Sequence, residues 1–264
     1  MISELAIRLS AFFGIFALMA LWEWQSPMRR MVAPRLRRWG TNWGISALDS
    51  VMVRLIFGAA AAGAAIDAEA RSWGLFHALD WPLWLEVLAV FVILDFAIWA
   101  QHVASHKIPI LWRLHRVHHA DRDIDVTTAI RFHPFEIAFS MILKIGLVYA
   151  LGAPLVAVIL FEVVLNGAAM FNHANVKLPR RVDRWLRLAV VTPDMHRVHH
   201  SIDRREHDAN YGFNLSVWDR LFGTYIDQPK GGHEGMTIGL AEWQHEGPTR
   251  LGWTLAIPFL SQRR

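Results

Sequence analysis

Residues 82–106 read PLWLEVLAVFVILDFAIWAQHVASH, an apolar stretch that ends in two histidines. Its first part, Pro82 to Ala100, is long and apolar enough to cross a membrane as a helix, which needs about 20 such residues. His102 and His106 follow four residues apart, so their imidazoles share one helical face. The stretch predicts a membrane-spanning helix that presents two potential metal ligands at one membrane boundary.

The composition and the other apolar stretches also indicate a membrane protein. Of the 264 residues, 54% are hydrophobic and 19% charged, whereas about a quarter are charged in a typical soluble domain. Further candidate spans are Leu9–Trp24 with its flanks, Ile45–Ile66, and a tight pair at Ile137–Phe171 hinged near Gly152–Pro154. The pair is short, so it forms either two crossings or a re-entrant hairpin. We predict an all-α integral membrane helical bundle of about four spans, or of three spans plus a hairpin.

A basic loop between the first two candidate spans predicts the orientation of the chain. It contains five arginines, Arg29, Arg30, Arg35, Arg37 and Arg38, and the positive-inside rule places such a loop in the cytoplasm. The alternation of spans then brings His102, and everything from His173 onward, to the cytoplasmic side. We therefore expect a multi-pass protein with a cytoplasmic helical cap that carries the histidines, in the inner membrane if the cell is bacterial. Since no basic region precedes the first apolar run, that run is expected to be retained as a span.

The chain has 14 histidines and no cysteine. The missing thiols exclude disulfides, iron–sulfur clusters, thiolate zinc sites and cysteine nucleophiles, so any metal is bound by nitrogen and oxygen. The net charge of +4 does not favour a nucleic-acid partner, because the arginines cluster beside apolar spans, where they suit a membrane surface.

The histidines fall into three groups with helical spacing. QHVASH has the pattern HxxxH, and LHRVHH and MHRVHH both have the pattern HxxHH. The residues are His102 and His106; His115, His118 and His119; and His196, His199 and His200. Residues three and four apart share a helical face, so each group directs its imidazoles toward a common point. Eight imidazoles exceed the needs of one tetrahedral zinc site and suit two metals with open positions.

These groups and the sequence around them resemble the fatty acid hydroxylase/sterol desaturase superfamily. The stretches that carry the resemblance are DFAIWAQHVASH, LWRLHRVHHAD, RFHPFE, FNHANV and NYGFNLSVWDRLFGTY. The resemblance runs from Asp95 to Tyr225 and implies two iron ions (Fe²⁺/Fe³⁺), bound by the eight histidines, with His133 and His173 as the ninth and tenth candidate ligands. It also suggests three regions: N-terminal spans with a basic loop (1–80), a catalytic domain (81–228) and a C-terminal cytoplasmic tail (229–264).

The activity that the resemblance implies is dioxygen-dependent oxidation of a lipid C–H bond, giving an alcohol or an alkene. The substrate would come from the bilayer and could be a sterol, a fatty acyl chain or an ether lipid. The sequence has no His-Pro-Gly-Gly stretch of the cytochrome b5 type and no dinucleotide-binding GxGxxG. A separate electron donor of the cytochrome b5, ferredoxin or pterin type is therefore expected.

Three further residues are predicted to support the ligands. Metal-bound imidazoles usually donate their second N–H to a carboxylate or carbonyl. Asp95 shares a helical face with His102 and His106, and Glu162 and Asn166 share one with His173. Asp194 and Asp219 are weaker candidates. His77, His207, His233 and His245 stand singly in polar surroundings and are predicted to take no part.

Three other functions are compatible with a histidine-rich membrane protein. A zinc hydrolase would be expected to carry HExxH, which has a glutamate between the paired histidines, and no glutamate stands there in this chain. A haem protein needs histidine pairs on facing helices instead of triplets. A metal-binding membrane protein without oxygenase activity, such as a transporter, would place histidines along a path through its spans.

Overall fold

The structure, a computed structural model, describes residues 4–261, and helices make up most of this part of the chain. In chain order the α-helices of this part are α1 (Glu4–Gln25), α2 (Arg35–Phe57), α3 (Ala60–Ala70), α4 (Leu83–Lys107), α5 (Pro109–His119), α6 (Pro134–Leu151), α7 (Leu155–His173), α8 (Arg180–Leu186), α9 (Pro193–His199), α10 (Arg204–His207), α11 (Val217–Leu221), α12 (Gly232–Gly235) and α13 (Leu251–Ala256). Short 3-10 turns occupy Leu75–Ala78, Val126–Ile130, Ala241–Trp243, Gly247–Thr249 and Ile257–Phe259. Between residues 4 and 261, β-structure is limited to isolated bridges such as Val190 with Leu215. The predicted all-α class is confirmed.

Five stretches within the described residues are long and apolar enough to cross a membrane. They are Leu5–Gln25, Arg35–Ala78, Leu83–Lys107, Pro134–Leu151 and Leu155–His173. The last two correspond to α6 and α7, which have 18 and 19 residues and therefore a length of about 27–28 Å each at 1.5 Å per residue. The hydrocarbon core is about 30 Å thick, so the predicted tight pair has the dimensions of two crossings.

Gly152 makes the tight connection between α6 and α7. Its φ of 63° lies in the left-handed region that favours glycine. A Cβ atom at this position would stand 2.5 Å from the carbonyl oxygen of Trp73. The hinge expected near Gly152–Pro154 is where the helix ends, and α7 begins directly after Pro154.

The second span differs from its predicted bounds of Ile45–Ile66. α2 begins at Arg35, directly after Pro34, and the helix is interrupted at Gly58, where φ is 58°. The alanine-rich α3 continues the stretch and buries Ala61, Ala64, Ala65 and Ala68. Small side chains let it approach α6 and α7 closely. The span was predicted from the length of its apolar stretch alone. The first part of the helix, before Ile45, is polar and was therefore not included.

The core of the bundle lies between α4, α6 and α7. Val90 and Leu94 of α4 are buried against Val158 and Phe161 of α7. Many large apolar side chains on the outer faces of the spans are exposed, among them Leu55, Ile142 and Val156. An exposed apolar surface of this kind suits contact with lipid tails.

Short helices pack against the long ones, since α5 contacts α4 and α6 and α9 contacts α7; these short helices and the segments that pack on them are called the cap below. Arg38, in the first turns of α2, is fully buried there: its Nε and Nη1 lie 2.6 and 2.7 Å from carboxylate oxygens of Asp121 and Asp125. Arg29 donates to the carbonyl oxygen of Met236 at 2.6 Å. Part of the basic loop is thus helical and internal, and the loop lies at the same end of the bundle as the histidine groups.

Candidate metal centre

Nine of the ten histidines predicted as ligands converge at the capped end of the bundle, where they form two groups. In each group the ligand nitrogens lie within 4.8 Å of one another. The first group contains His102, His106, His115, His119 and His199, and the second contains His118, His173, His196 and His200. All nine residues are buried.

The spacing of the two HxxHH motifs explains why there are two groups and why they adjoin. On α5, His115 and His119 are four residues apart and join the first group, while His118 points into the second. At α9 the assignment is reversed, since His196 and His200 join the second group and His199 joins the first. The groups meet where the rings of His119 and His200 stack at 4.7 Å. Each motif therefore supplies donors to both groups.

Backbone carbonyls hold several of the rings by Nδ1. His102 donates to the carbonyl oxygen of Tyr211 and His199 to that of Ala209, both at 2.7 Å. His173 and His118 donate to the carbonyls of Ala169 and Arg131, at 2.7 and 3.2 Å. Because a carbonyl oxygen only accepts, each Nδ1 carries the proton, and the lone pair is on Nε2.

The Nε2 atoms face one another across short distances. His102 and His115 are separated by 3.0 Å between their Nε2 atoms, and His118 and His173 by 3.1 Å. Other buried ring nitrogens, including both of His106 and both of His200, have no hydrogen-bond partner. Leaving one such buried group unsatisfied costs about 1–3 kcal/mol. A pair of metal ions bound by these imidazoles would satisfy both the facing lone pairs and the unpartnered nitrogens. The donors therefore fit such ions.

Burial also keeps the imidazoles neutral. Desolvation lowers the pKa of His115 to about 3. It holds the pKa values of His118, His119, His196, His199 and His200 well below 6.5, and neighbouring histidines lower them further. A neutral imidazole offers its lone pair to a metal, so the site is ready to bind cations at neutral pH.

Four predicted site residues lie elsewhere. His133 caps α6, where its Nδ1 accepts from the Phe135 N–H at 3.2 Å. Asp95 accepts from Trp218 Nε1 at 2.7 Å. Glu162 lies 2.9 Å from Lys144 Nζ and also pairs with Arg8, and the exposed Asn166 donates to the Glu162 carbonyl oxygen.

Distance along the helix explains these placements. Asp95 and Glu162 are buried, as expected for residues on the same helical faces as the histidines, but they lie at a different depth in the bundle. Asp95 is seven residues before His102, and Glu162 eleven before His173, which corresponds to about 10 and 16 Å of helix. Those separations are too long for a side chain to hydrogen-bond a ligand ring.

Two residues at the centre were not among the predicted ligands or their supports. Glu136 Oε1 lies 2.6 Å from His115 Nδ1, so Glu136 provides the carboxylate support that was sought in Asp95. The motif RFHPFE could have indicated this residue, since Glu136 stands three residues after His133 in the first turn of α6. His207, predicted to stand apart, is buried with its ring 4.4 Å from that of His119 and 4.9 Å from that of His106. Its position results from tertiary packing of α10, which nothing in the surrounding polar sequence indicates.

The remaining candidates stay outside both groups. Asp219 accepts hydrogen bonds from the backbone N–H groups of Tyr211 and Gly212 and from Trp99 Nε1. Asp194 pairs with Arg197 at 2.6 Å and lies 3.7 Å from His233. These carboxylates hold the cap segments together and do not contact the clustered rings.

A cavity of about 650 Å³ begins at His102 and His115 and runs into the bundle between α1, α2, α4, α6 and α7. Apolar side chains such as Ile98, Met141 and Leu165 line it beside several polar ones. This volume lies within the range of about 300–1,000 Å³ for small-molecule sites. A lipid segment that enters the cavity would reach the first histidine group.

Comparisons with known proteins agree with this site. The fatty acid hydroxylase family model matches residues 87–224. An ornithine lipid hydroxylase of Rhizobium tropici is 34% identical over 57% of this chain and 45% of its own length. Alkylglycerol monooxygenases of Xenopus tropicalis and Homo sapiens are 24% and 29% identical, over 84% and 59% of this chain and 47% and 34% of their own lengths.

The chain spans less than half the length of these curated relatives. No solved structure matches it. The family model nevertheless covers more than half of the chain, including both HxxHH motifs and the HxxxH pair. The chain belongs to the fatty acid hydroxylase family.

Proposed function

We propose that this chain is a membrane non-haem di-iron oxygenase that uses dioxygen to hydroxylate a C–H bond of a lipid. The observation that carries the proposal is the pair of adjoining imidazole groups at the end of a cavity inside an apolar helical bundle. The names of the relatives, a lipid hydroxylase and monooxygenases, favour the same reaction class.

Imidazole binds iron, zinc, copper and nickel, so the donors alone do not select the metal. The two iron ions, bound by His102, His106, His115, His119 and His199 and by His118, His173, His196 and His200, would supply the oxygen-activating redox chemistry. The Glu136 carboxylate holds the His115 ring and increases its basicity as a ligand. Apolar residues of the cavity lining, such as Ile98, Met141 and Leu165, would position the lipid carbon near His102 and His115 and limit the access of water.

The setting of the site completes the proposal. The lipid enters from the bilayer, and a separate donor of the cytochrome b5, ferredoxin or pterin type supplies electrons. The capped end faces the cytoplasm, in a bacterial cell from the inner membrane. The catalytic domain comprises residues 81–228, and the matched range of 87–224 lies within it. The part of 229–264 that the structure describes packs on the cap, where Arg116 donates to the carbonyl oxygens of Ile257 and Leu260.

Metal analysis and isotope labelling test the proposal together. Purified protein should contain about two iron ions per chain. Cells that express the chain under ¹⁸O₂ should accumulate a lipid that is heavier by one labelled oxygen atom. His118→Ala should abolish both results while the protein stays in the membrane. His245→Ala is the matched control, because His245 lies in an exposed turn.

A zinc-loaded preparation with full activity, or a product whose new oxygen comes from water, would favour the hydrolase alternative. An iron-loaded protein that leaves the lipid profile unchanged would indicate a metal-binding membrane protein without oxygenase activity.

A further inference from the structure

The short helix α11 packs against the middle of the long helix α4. Trp218 Nε1 donates to Asp95 Oδ2 at 2.7 Å, and the ring of Phe222, directly after α11, stacks on that of Trp99 at 4.6 Å. A hydrocarbon layer of about 30 Å that begins at Leu83, the first residue of α4, ends about 20 residues later. Asp95 and Trp99 lie before that end, so α11 is at the depth of the bilayer.

The outer face of α11 is apolar and uncovered. Val217 and Phe222 are exposed, and Leu221 is 68% exposed. Phe96 of α4 is exposed as well, and its ring lies 5.9 Å from that of Phe222. The lipid-facing surface of α4 therefore continues onto α11.

The helix α8 is attached to α11 through the residues that follow α8. The Arg187 carbonyl oxygen accepts hydrogen bonds from Ser216 Oγ and Arg220 Nη2, both at 2.8 Å. Val190 and Leu215 form a bridge between the same two segments. Because α11 lies against the membrane-spanning part of α4, these contacts hold α8 close to the membrane boundary.

One face of α8 is apolar and exposed. Val182, Trp185 and Leu186 are exposed, and their spacing of three and four residues places them on one helical side. The Trp185 residue is 73% exposed, and tryptophan is enriched where hydrocarbon meets head groups. A short helix with such a face suits a position in the plane of the membrane interface, with its apolar side chains among the acyl chains.

The other exposed positions of α8 carry positive charge. Three of its exposed side chains are arginines that form no ion pair within residues 4–261, namely Arg180, Arg181 and Arg184. The carboxylates of Asp183 and Asp227 are already paired with Arg187. Arginine binds phosphate groups through two parallel hydrogen bonds, and basic residues beside an apolar surface are attracted to anionic lipids.

An acidic protein would also match three arginines, but two observations favour lipid. The arginines stand among large exposed apolar side chains, which a leaflet buries, and the contacts with α4 place this part of the chain at bilayer depth. We propose that α8 and α11 insert their apolar faces into the leaflet beside α4, and that the three arginines of α8 bind the head groups of anionic phospholipids. None of these residues belongs to either histidine group, so the inference does not depend on the proposed reaction.

Spin labels on single introduced cysteines test the insertion. The purified full chain, reconstituted in vesicles of phosphatidylcholine and phosphatidylglycerol, carries the label at Val182→Cys or at Leu221→Cys. Both labels should be accessible to dissolved oxygen, which concentrates in hydrocarbon, and protected from a water-soluble nickel chelate. Arg204→Cys is the matched control, because Arg204 is exposed on a different short helix, α10. Its label should be open to the chelate.

Selective quenching tests the contact with anionic head groups. A fluorophore on Val182→Cys should be quenched more strongly by spin-labelled phosphatidylglycerol than by the same amount of spin-labelled phosphatidylcholine. One basic residue near an anionic surface contributes about fivefold to binding. Replacement of all three arginines of α8 by glutamine should therefore reduce this preference at least about fivefold and leave the oxygen accessibility unchanged. Arg204→Gln combined with Arg205→Gln is the control, since both residues are exposed on α10, and it should change neither result.

Two kinds of result would overturn the inference. If the label at Val182 or Leu221 met the nickel chelate as readily as the label at Arg204, the face would be open to water, as the docking site of an acidic protein is. Equal quenching by the two lipids, or an unaltered preference without the arginines, would leave an apolar face that does not recognise head groups. All substituted side chains are exposed, so each variant should unfold at the temperature of the unmodified protein.

Discussion

At the scale of single residues, the site depends on how each imidazole is held. His102, His118, His173 and His199 are held by backbone carbonyls, which no side-chain substitution removes. His115 is different, since its Nδ1 donates to the Glu136 side chain. Glu136 is therefore the supporting contact most open to mutation.

We predict that Glu136→Gln weakens metal binding about 10- to 100-fold, the usual effect of losing a carboxylate behind a histidine ligand. The amide still accepts from His115 but no longer stabilises positive charge on the ring. Competition with a chelator measures the change. Glu69→Gln is the matched control, because the Glu69 side chain is 75% exposed. Unchanged chelator resistance of Glu136→Gln would show that the carboxylate does not tune the metal.

His207 is a second residue whose substitution should affect the metal centre. Its ring contacts His106 and His119, and together with Asp208 it forms a further potential group with His106. His207→Ala should open space beside the first group and increase the rate at which that group loses iron about tenfold. Iron in the second group should stay bound. The rate of iron loss to a chelator should then become biphasic. A single phase at the rate of the unmodified protein would make His207 a packing residue only.

Prediction of the arrangement of single residues from the sequence was possible where spacing alone determines the geometry. HxxxH and HxxHH fix which imidazoles share a helical face, and the structure brings those eight histidines together with His173. It did not extend to Glu136 or His207, because their contacts with His115 and His119 join separate helices. Asp95 and Glu162 do lie on the same helical faces as the histidines, but at a different depth in the bundle. Their partners are therefore Trp218 and Lys144 instead of ligand rings.

At the scale of elements, α2 links the membrane bundle to the cap. Arg38 is buried between Asp121 and Asp125, so its loss leaves two carboxylates without their main cation. We predict that Arg38→Ala lowers the free energy of unfolding by about 3–5 kcal/mol, as expected for a broken buried ion pair. Thermal unfolding in detergent measures this.

Arg37→Ala is a matched control at the preceding residue. The Arg37 side chain is 61% exposed and pairs with Glu246 at 2.8 Å, so its removal should change stability by about 0–1 kcal/mol. Equal effects of the two substitutions would mean that the Arg38 network does not secure the cap. The basic residues of this segment were interpreted from sequence as surface charge, because a buried arginine is recognisable only once its carboxylate partners are placed.

At the scale of the whole molecule, the positions of the ends of the spans determine where the site lies. α4 and α7 both finish at the histidines, α6 starts beside them, and the loop between α1 and α2 contacts the same cap. Apolar length and the arginine-rich loop were sufficient to predict this convergence from the sequence. The exact helix ends were not predictable in this way, because α2 and α6 begin in polar segments that are stabilised by tertiary contacts.

The orientation of the whole protein in the membrane can be tested by labelling single introduced cysteines. The chain has no native cysteine that would react as well. The histidine segments are too buried to label, so exposed positions are needed at each end. Arg204, whose side chain is 88% exposed, is the first residue of α10 in the cap, and Glu69 lies near the end of α3. With a cytoplasmic cap, a membrane-impermeant maleimide should react with Glu69→Cys in intact cells and with Arg204→Cys only after permeabilisation. The reverse pattern would place the histidine groups on the outer side and remove the cytosol as the source of electrons, because a soluble cytosolic donor could no longer reach the metal centre.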